Sequence, residues 1–189
     1  MEEYETVREA TTGQIEWQLL YKKHFGLDKD FSTLRIPERK GGFDRLIVVA
    51  EGMMPEKIFA WMKSRMFASK YGDNLDTVIS DRKADHDYAI WVRDRVEADR
   101  ELKSKSANDL KKEGIPGITL EERLLYGLKF FEETGEHLDM DSFTLCTGSR
   151  HPFGFGLVPR VYWRHGRVRV GWCSPGNSHD DLRARAVVS

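Results

Sequence analysis

Acidic residues are missing from one long stretch of this chain: between Ser142 and His179 there is no Asp, no Glu and no Lys. Cysteine is scarce as well, with only Cys146 and Cys173 in 189 residues and neither in a C-x-x-C pair. That scarcity excludes a disulfide scaffold. The six histidines pair with neither thiol at ligand spacing, which argues against a structural zinc site, and no metal or cofactor is expected. Long apolar runs are also absent. None exceeds five residues, as in Leu46–Ala50, whereas a bilayer span needs ~20. The opening Met1-Glu2-Glu3-Tyr4-Glu5 is acidic where an export signal is basic and then apolar. Reduced thiols, a cytoplasmic location and no membrane partner are therefore expected.

What is present suits a folded chain. The 40% hydrophobic and 11% aromatic content, with 30 Lys+Arg against 31 Asp+Glu, fits one globular domain with a sizeable core. The near-neutral balance conceals an asymmetry. Every cation between Ser142 and His179 is Arg (Arg150, Arg160, Arg164, Arg167, Arg169), while acids are densest from Glu97 to Glu136. Arg is suited to bidentate contacts with phosphate or carboxylate and to stacking on rings.

Along the chain, Gly13–His24 is predicted as an amphipathic helix, with Thr12 as N-cap and Ile15, Leu19 and either Leu20 or Tyr21 facing a core. Asp28–Gly42 reads as a loop. Leu46–Ala50 is a buried strand, and Pro55 opens a helix over Glu56–Lys70 with Ile58, Phe59, Met62, Met66 and Phe67 on its apolar side. Asp87–Arg93 is a further strand. The alternating charges of Arg93–Lys112 suggest one exposed helix or two short ones, with Ser106 and Asp109 placed as a cap. Thr119-Leu120-Glu121-Glu122 is a capping box for a helix that runs to Thr134 and stops at Gly135, burying Leu120, Leu124, Leu128 and Phe131. Phe143–Cys146 is a strand, Thr147–Pro159 a Gly/Pro-rich loop, and Ala184–Val188 a last strand.

Arg160–Trp172 carries the best hairpin pattern. A two-residue His165-Gly166 turn sets Trp163 opposite Val168 and Val161 opposite Val170 on one buried face. Tyr162, Arg164, Arg167 and Arg169 then share the other, exposed face. The expected fold is α+β: a mixed, mostly antiparallel sheet with helices on one face and a C-terminal β-hairpin. One domain is expected, divided into a helix-plus-loop arm (1–42), a strand-helix-strand unit with a charged helix (43–115) and a capped helix with the C-terminal sheet (116–189).

Four segments resemble a family of uncharacterised prokaryotic proteins: Tyr88-Ala89-Ile90-Trp91-Val92-Arg93-Asp94, Gly117-Ile118-Thr119-Leu120-Glu121-Glu122-Arg123, Cys146-Thr147-Gly148-Ser149-Arg150 and Leu182-Arg183-Ala184-Arg185. They lie mainly in the C-terminal half. The resemblance implies no activity, cofactor or catalytic residue.

Chemistry-bearing constellations are sparse. Cys146-Thr147-Gly148-Ser149-Arg150 is too short for the anion loop of cysteine phosphatases, which places five residues between nucleophile and Arg. Asp94 and Glu97, with Asp99, Glu101 and Lys103, could form a metal-dependent nuclease cluster if they converged at a strand end. No glycine loop has phosphate-cradling spacing. The leading expectation is a binding protein that uses Tyr162, Arg164, Arg167 and Arg169 against an acidic protein surface, or against the Glu97–Glu136 region of a second copy. Nucleic acid is a weaker alternative, given the neutral net charge. The competing class is a hydrolase or nuclease built on Asp94/Glu97 or Cys146.

Overall fold

In the computed structural model, which describes residues 2–72, 74–153 and 155–189, the first element is α1 (Glu2–Phe25). It begins well before Gly13, so Thr12 lies inside the helix and is not its N-cap. Its buried face differs from the expected one. Trp17, Leu20 and Tyr21 are buried with Gln14, whereas Ile15 and Leu19 are 51% and 62% exposed. The polar tips of the large rings decide this orientation. Trp17 Nε1 donates to the Leu46 carbonyl at 3.1 Å and Tyr21 OH to the Val48 carbonyl at 2.8 Å. Buried Trp and Tyr need such partners, and only this rotation of the helix supplies them.

Strand β1 (Arg45–Val49) follows, then α2 (Pro55–Arg65), whose Pro55 occupies the first turn as predicted. The helix stops short of Lys70. Phe67 takes a left-handed conformation at φ 50° and points outward, and Ala68–Lys70 becomes β2. Tertiary pairing overrides the helical pattern there: Phe67 O accepts from Val168 N, and Tyr71 N donates to Val170 O, both at 3.0 Å. Next come β3 (Ile79–Ser80) and β4 (Tyr88–Val92), the latter antiparallel to β1 in the register Ile47↔Ile90. Arg93–Lys112 is mostly irregular, with one 3₁₀ turn at Arg100–Leu102 and a short α3 (Ala107–Lys112). Ser106 and Asp109 form a full capping box on α3.

Helix α4 (Leu120–Thr134) keeps its predicted limits. The Thr119 side chain accepts from Glu122 N, the Glu122 carboxylate accepts from Thr119 N, and Gly135 closes the helix at φ 74°. Replacing Thr119 by Ala is expected to cost about 1 kcal/mol in denaturant unfolding through the lost cap; an unchanged midpoint would show that the cap is dispensable. Almost the whole circumference of α4 is buried, including Glu121, Glu122, Arg123 and Lys129, rather than the single apolar face the sequence suggests.

The remaining strands are β5 (Phe143–Leu145), β6 (Ser149–Arg150), β7 (Val158–Trp163), β8 (Val168–Cys173) and β9 (Leu182–Ala184). The chain is α+β with mostly antiparallel pairing, spread over three sheets. They are the β1-β4 ribbon, a β3-β6 pair and a five-stranded sheet ordered β2-β8-β7-β5-β9. Within the last, β2-β8 and β5-β9 are parallel. The expected strand over Ala184–Val188 falls earlier, and Ala186 and Val188 make only isolated bridges to Gly117 and Trp91. Val161, Val168 and Val170 turn one face of the large sheet into the main core with α2 and α4. The opposite face is covered at one end only, where Ala107 of α3 packs on Leu145, Val158, Cys173 and Leu182. No helix among the described residues is long and apolar enough to cross a membrane.

Candidate anion-binding face

The uncovered part of that outer face is the surface of the hairpin. Its turn has φ 53° at His165 and 71° at Gly166, the two positive values a type I′ turn requires, and Arg164 N donates to Arg167 O at 3.0 Å. The register pairs Trp163 with Val168, Tyr162 with Arg169, Val161 with Val170 and Arg160 with Gly171. Strand alternation then places Arg160, Tyr162, Arg164, Arg167 and Arg169 on one side.

Two details differ from expectation. Tyr162 is only 7% exposed, because Phe143 meets it edge-on at 4.5 Å and the Arg160 guanidinium lies 5.7 Å from its ring centroid. It supports the cations from below and offers no surface for stacking. Trp163 is only partly buried and stacks on His137, ring centroids 3.4 Å apart.

The face also gathers residues that hairpin reasoning did not include. Phe143, adjacent on β5, lies under both Arg160 at 5.3 Å and Arg164 at 5.4 Å. Tyr71, just beyond β2, is 57% exposed; its OH accepts from Arg169 Nη1 at 3.4 Å and its backbone carbonyl from Trp172 Nε1 at 2.7 Å. A Cβ placed on Gly171 would lie within 3.5–3.6 Å of the Tyr71 ring and Arg160 Nε, so these two groups meet over the bare glycine. Period-two alternation from Tyr162 and Arg164 could have added Arg160. Tyr71 left no sequence signal, since it arrives through a parallel pairing with a distant strand.

The arginines buried in the fold are neutralised there. Arg45, Arg82, Arg93, Arg123 and Arg185 are mostly or fully buried, and each has a carboxylate within 3.0 Å. Arg150 is held by the carbonyls of Thr147 and Ser149 at 2.6 and 2.8 Å. Among the described residues no carboxylate comes within ion-pair distance of Arg160, Arg164, Arg167 or Arg169. The Nε atoms of Arg160 and Arg169 are buried without any hydrogen-bond partner. A buried donor left unpaired is costly, and such groups in folded proteins call for an explanation.

The acids from Glu97 to Glu136 are largely occupied within the chain. Asp99 binds Arg93, Glu101 binds Arg95, Glu113 binds Lys105, Glu132 binds Lys23, and Glu133 bridges Arg45 and Lys129.

The residues of the competing enzyme class do not converge. Asp94 pairs with Arg45 at 3.0 Å, at the edge of an open cleft of about 870 Å³ floored by Trp17 and Trp91. Glu97 instead accepts from Met140 N at 3.0 Å and Asp141 N at 3.1 Å, fixing a turn. Lys103 faces Asp180 at 3.3 Å. Cys146 is fully buried, and burial raises its thiol well above the ordinary range, the reverse of what a nucleophile needs. Cys173 is likewise buried and free. Among the described residues no group of three or more His, Cys, Asp or Glu side chains is arranged to hold a metal ion. No protein-family model matches the chain, and no curated protein or solved structure shows significant similarity to it.

Proposed function

We propose that this chain is a binding protein whose Arg160, Arg164, Arg167 and Arg169 face docks a negatively charged partner. The observation that carries the reading is that, among the described residues, these four guanidiniums share one sheet face with no carboxylate partner, and the Nε atoms of Arg160 and Arg169 are buried without a hydrogen-bond partner. Like charges this close on a sheet face repel one another, and an incoming anion relieves that repulsion. The acidic residues of a second copy are a poor source for it, because most are already engaged.

The test is the triple change Arg164→Gln, Arg167→Gln and Arg169→Gln. Among the described residues none of the three makes an ion pair, so the melting temperature should stay within a few degrees of wild type. Binding to polyanions at low salt should fall about tenfold or more, because each neutralised contact removes part of the counterion-release term. A triple variant that binds acidic polymers as wild type does would refute the proposal.

A further inference from the structure

We infer that the partner on this face is a single-stranded nucleic acid, a deepening that rests on the anion-binding reading above. The first argument is the order of groups across the sheet. From Tyr71 beside β2, across Arg169 and Gly171 on β8 and Arg160 and Arg164 on β7, to Phe143 on β5, three guanidiniums lie between two rings over four adjacent strands. Proteins that hold single strands without reading sequence use this combination: a cationic track for the phosphates and π-faces for the bases. Arg planes stacked on rings serve both roles, because the guanidinium presents its N–H edge to a phosphate and its face to a base.

One exposed ring on this face is not used by the fold. Tyr71 is 57% exposed yet held in place by hydrogen bonds from Arg169 and Trp172. An acidic protein surface would satisfy the arginines but has no use for a fixed, solvent-facing ring. Bases have one.

The third argument is the choice of cation. Every basic side chain from Ser142 to His179 apart from histidine is Arg, which matches the planar, bidentate geometry of phosphate. Net charge is a poor guide here, since the acids that bring it to −1 are largely paired elsewhere in the chain. The pattern specifies no base edges, so binding should be tolerant of sequence.

The experiment measures fluorescence anisotropy of a labelled oligothymidylate of about a dozen nucleotides, with a duplex and a poly-glutamate of matched charge as competitors. Wild type should bind the single strand more tightly than either competitor. A log–log salt slope of about −3 is expected for four phosphate contacts, falling to about −1 in the triple Arg→Gln variant. Tyr71→Ala, which removes a largely exposed ring and no ion pair, should weaken the single strand about tenfold and leave poly-glutamate unchanged. Equal affinity for poly-glutamate or duplex, or indifference of the single strand to Tyr71→Ala, would overturn the nucleic-acid inference while leaving the anion-binding reading in place. No Arg-dependent binding of any polyanion would overturn both.

Discussion

Replacing Asp139 by Ala is expected to cost about 3–5 kcal/mol, the usual penalty for stranding a buried charge. Asp139 is fully buried between two guanidiniums. Arg123 donates to Oδ2 through Nε and Nη2 at 2.9 and 2.7 Å, and Arg185 donates to Oδ1 at 2.6 Å. Arg185 is itself buried and also donates to the carbonyls of Arg95 and Val96, so it cannot swing away into solvent. Removing the carboxylate leaves two cations facing each other in low dielectric. Burial alone would raise the Asp139 carboxyl, but Arg185 and Arg123 outweigh it and hold it below the ordinary range. The stabilisation is therefore complete above the unfolded value near 3.8 and is lost as pH falls through the depressed one. Urea unfolding at neutral pH checks the magnitude. The double change Asp139→Ala with Arg185→Ala should cost less than the sum of the two single changes, because it removes one of the stranded charges. Strict additivity would show that the cluster does not act as a unit.

Changing Glu121 to Gln should have the opposite sign. Glu121 lies in the first turn of α4 yet is buried, with Ser80 Oγ 2.9 Å from Oε2 and Ser149 Oγ 2.8 Å beyond. Among the described residues no cation pairs with it, since Arg82 is committed to Glu122 at 2.6 Å. Burial, reinforced by the neighbouring Glu122 charge, pushes its carboxyl up to about 7 from 4.5. A folded-state value above the unfolded one means that folding takes up a proton between them. The benefit is full below about 4.5 and is lost as pH rises through about 7. Gln keeps an acceptor for Ser80 and never ionises. At pH 8 the variant should be more stable than wild type by about 3 kcal/mol, on a scale of roughly 1.4 kcal/mol per tenfold change in proton affinity. At pH 4.5 the two should coincide. A pH-independent difference, or destabilisation at pH 8, would show that the carboxylate is solvated or neutralised.

What the sequence made legible was local. The Thr119–Glu122 box, the Gly135 stop and the His165-Gly166 register each depend on residues a few positions apart, and each appears where expected. The elements that went astray depend on distant partners. Ala68–Lys70 has no strand pattern of its own and becomes one because β8 offers a free edge. Gln14, Trp17 and Tyr21 face the core because backbone carbonyls at Phe31, Leu46 and Val48 accept their polar atoms, which no helical periodicity reveals. Glu121, Glu122 and Arg123 look like a solvated helix start, and their burial follows from Ser80, Arg82 and Asp139 elsewhere in the chain. The candidate face divided in the same way. Its arginines could be assigned by alternation along two strands, while Tyr71 and Phe143 came from strands that only the sheet order brings alongside.

The pairing of Ala68 with Val168 joins positions 100 residues apart, and that separation bears on the kinetics of assembly. Closing so long a loop is entropically expensive, and contacts of this kind slow folding in proportion to their share of the whole. The hairpin, by contrast, closes over two residues and can form early with its arginines already aligned. Tyr71 reaches its place over Gly171 only once the distant strand docks. A chain caught before that step would display the cations without the ring. Completion of this long-range contact is then also the event that sets the exposed ring beside the cations.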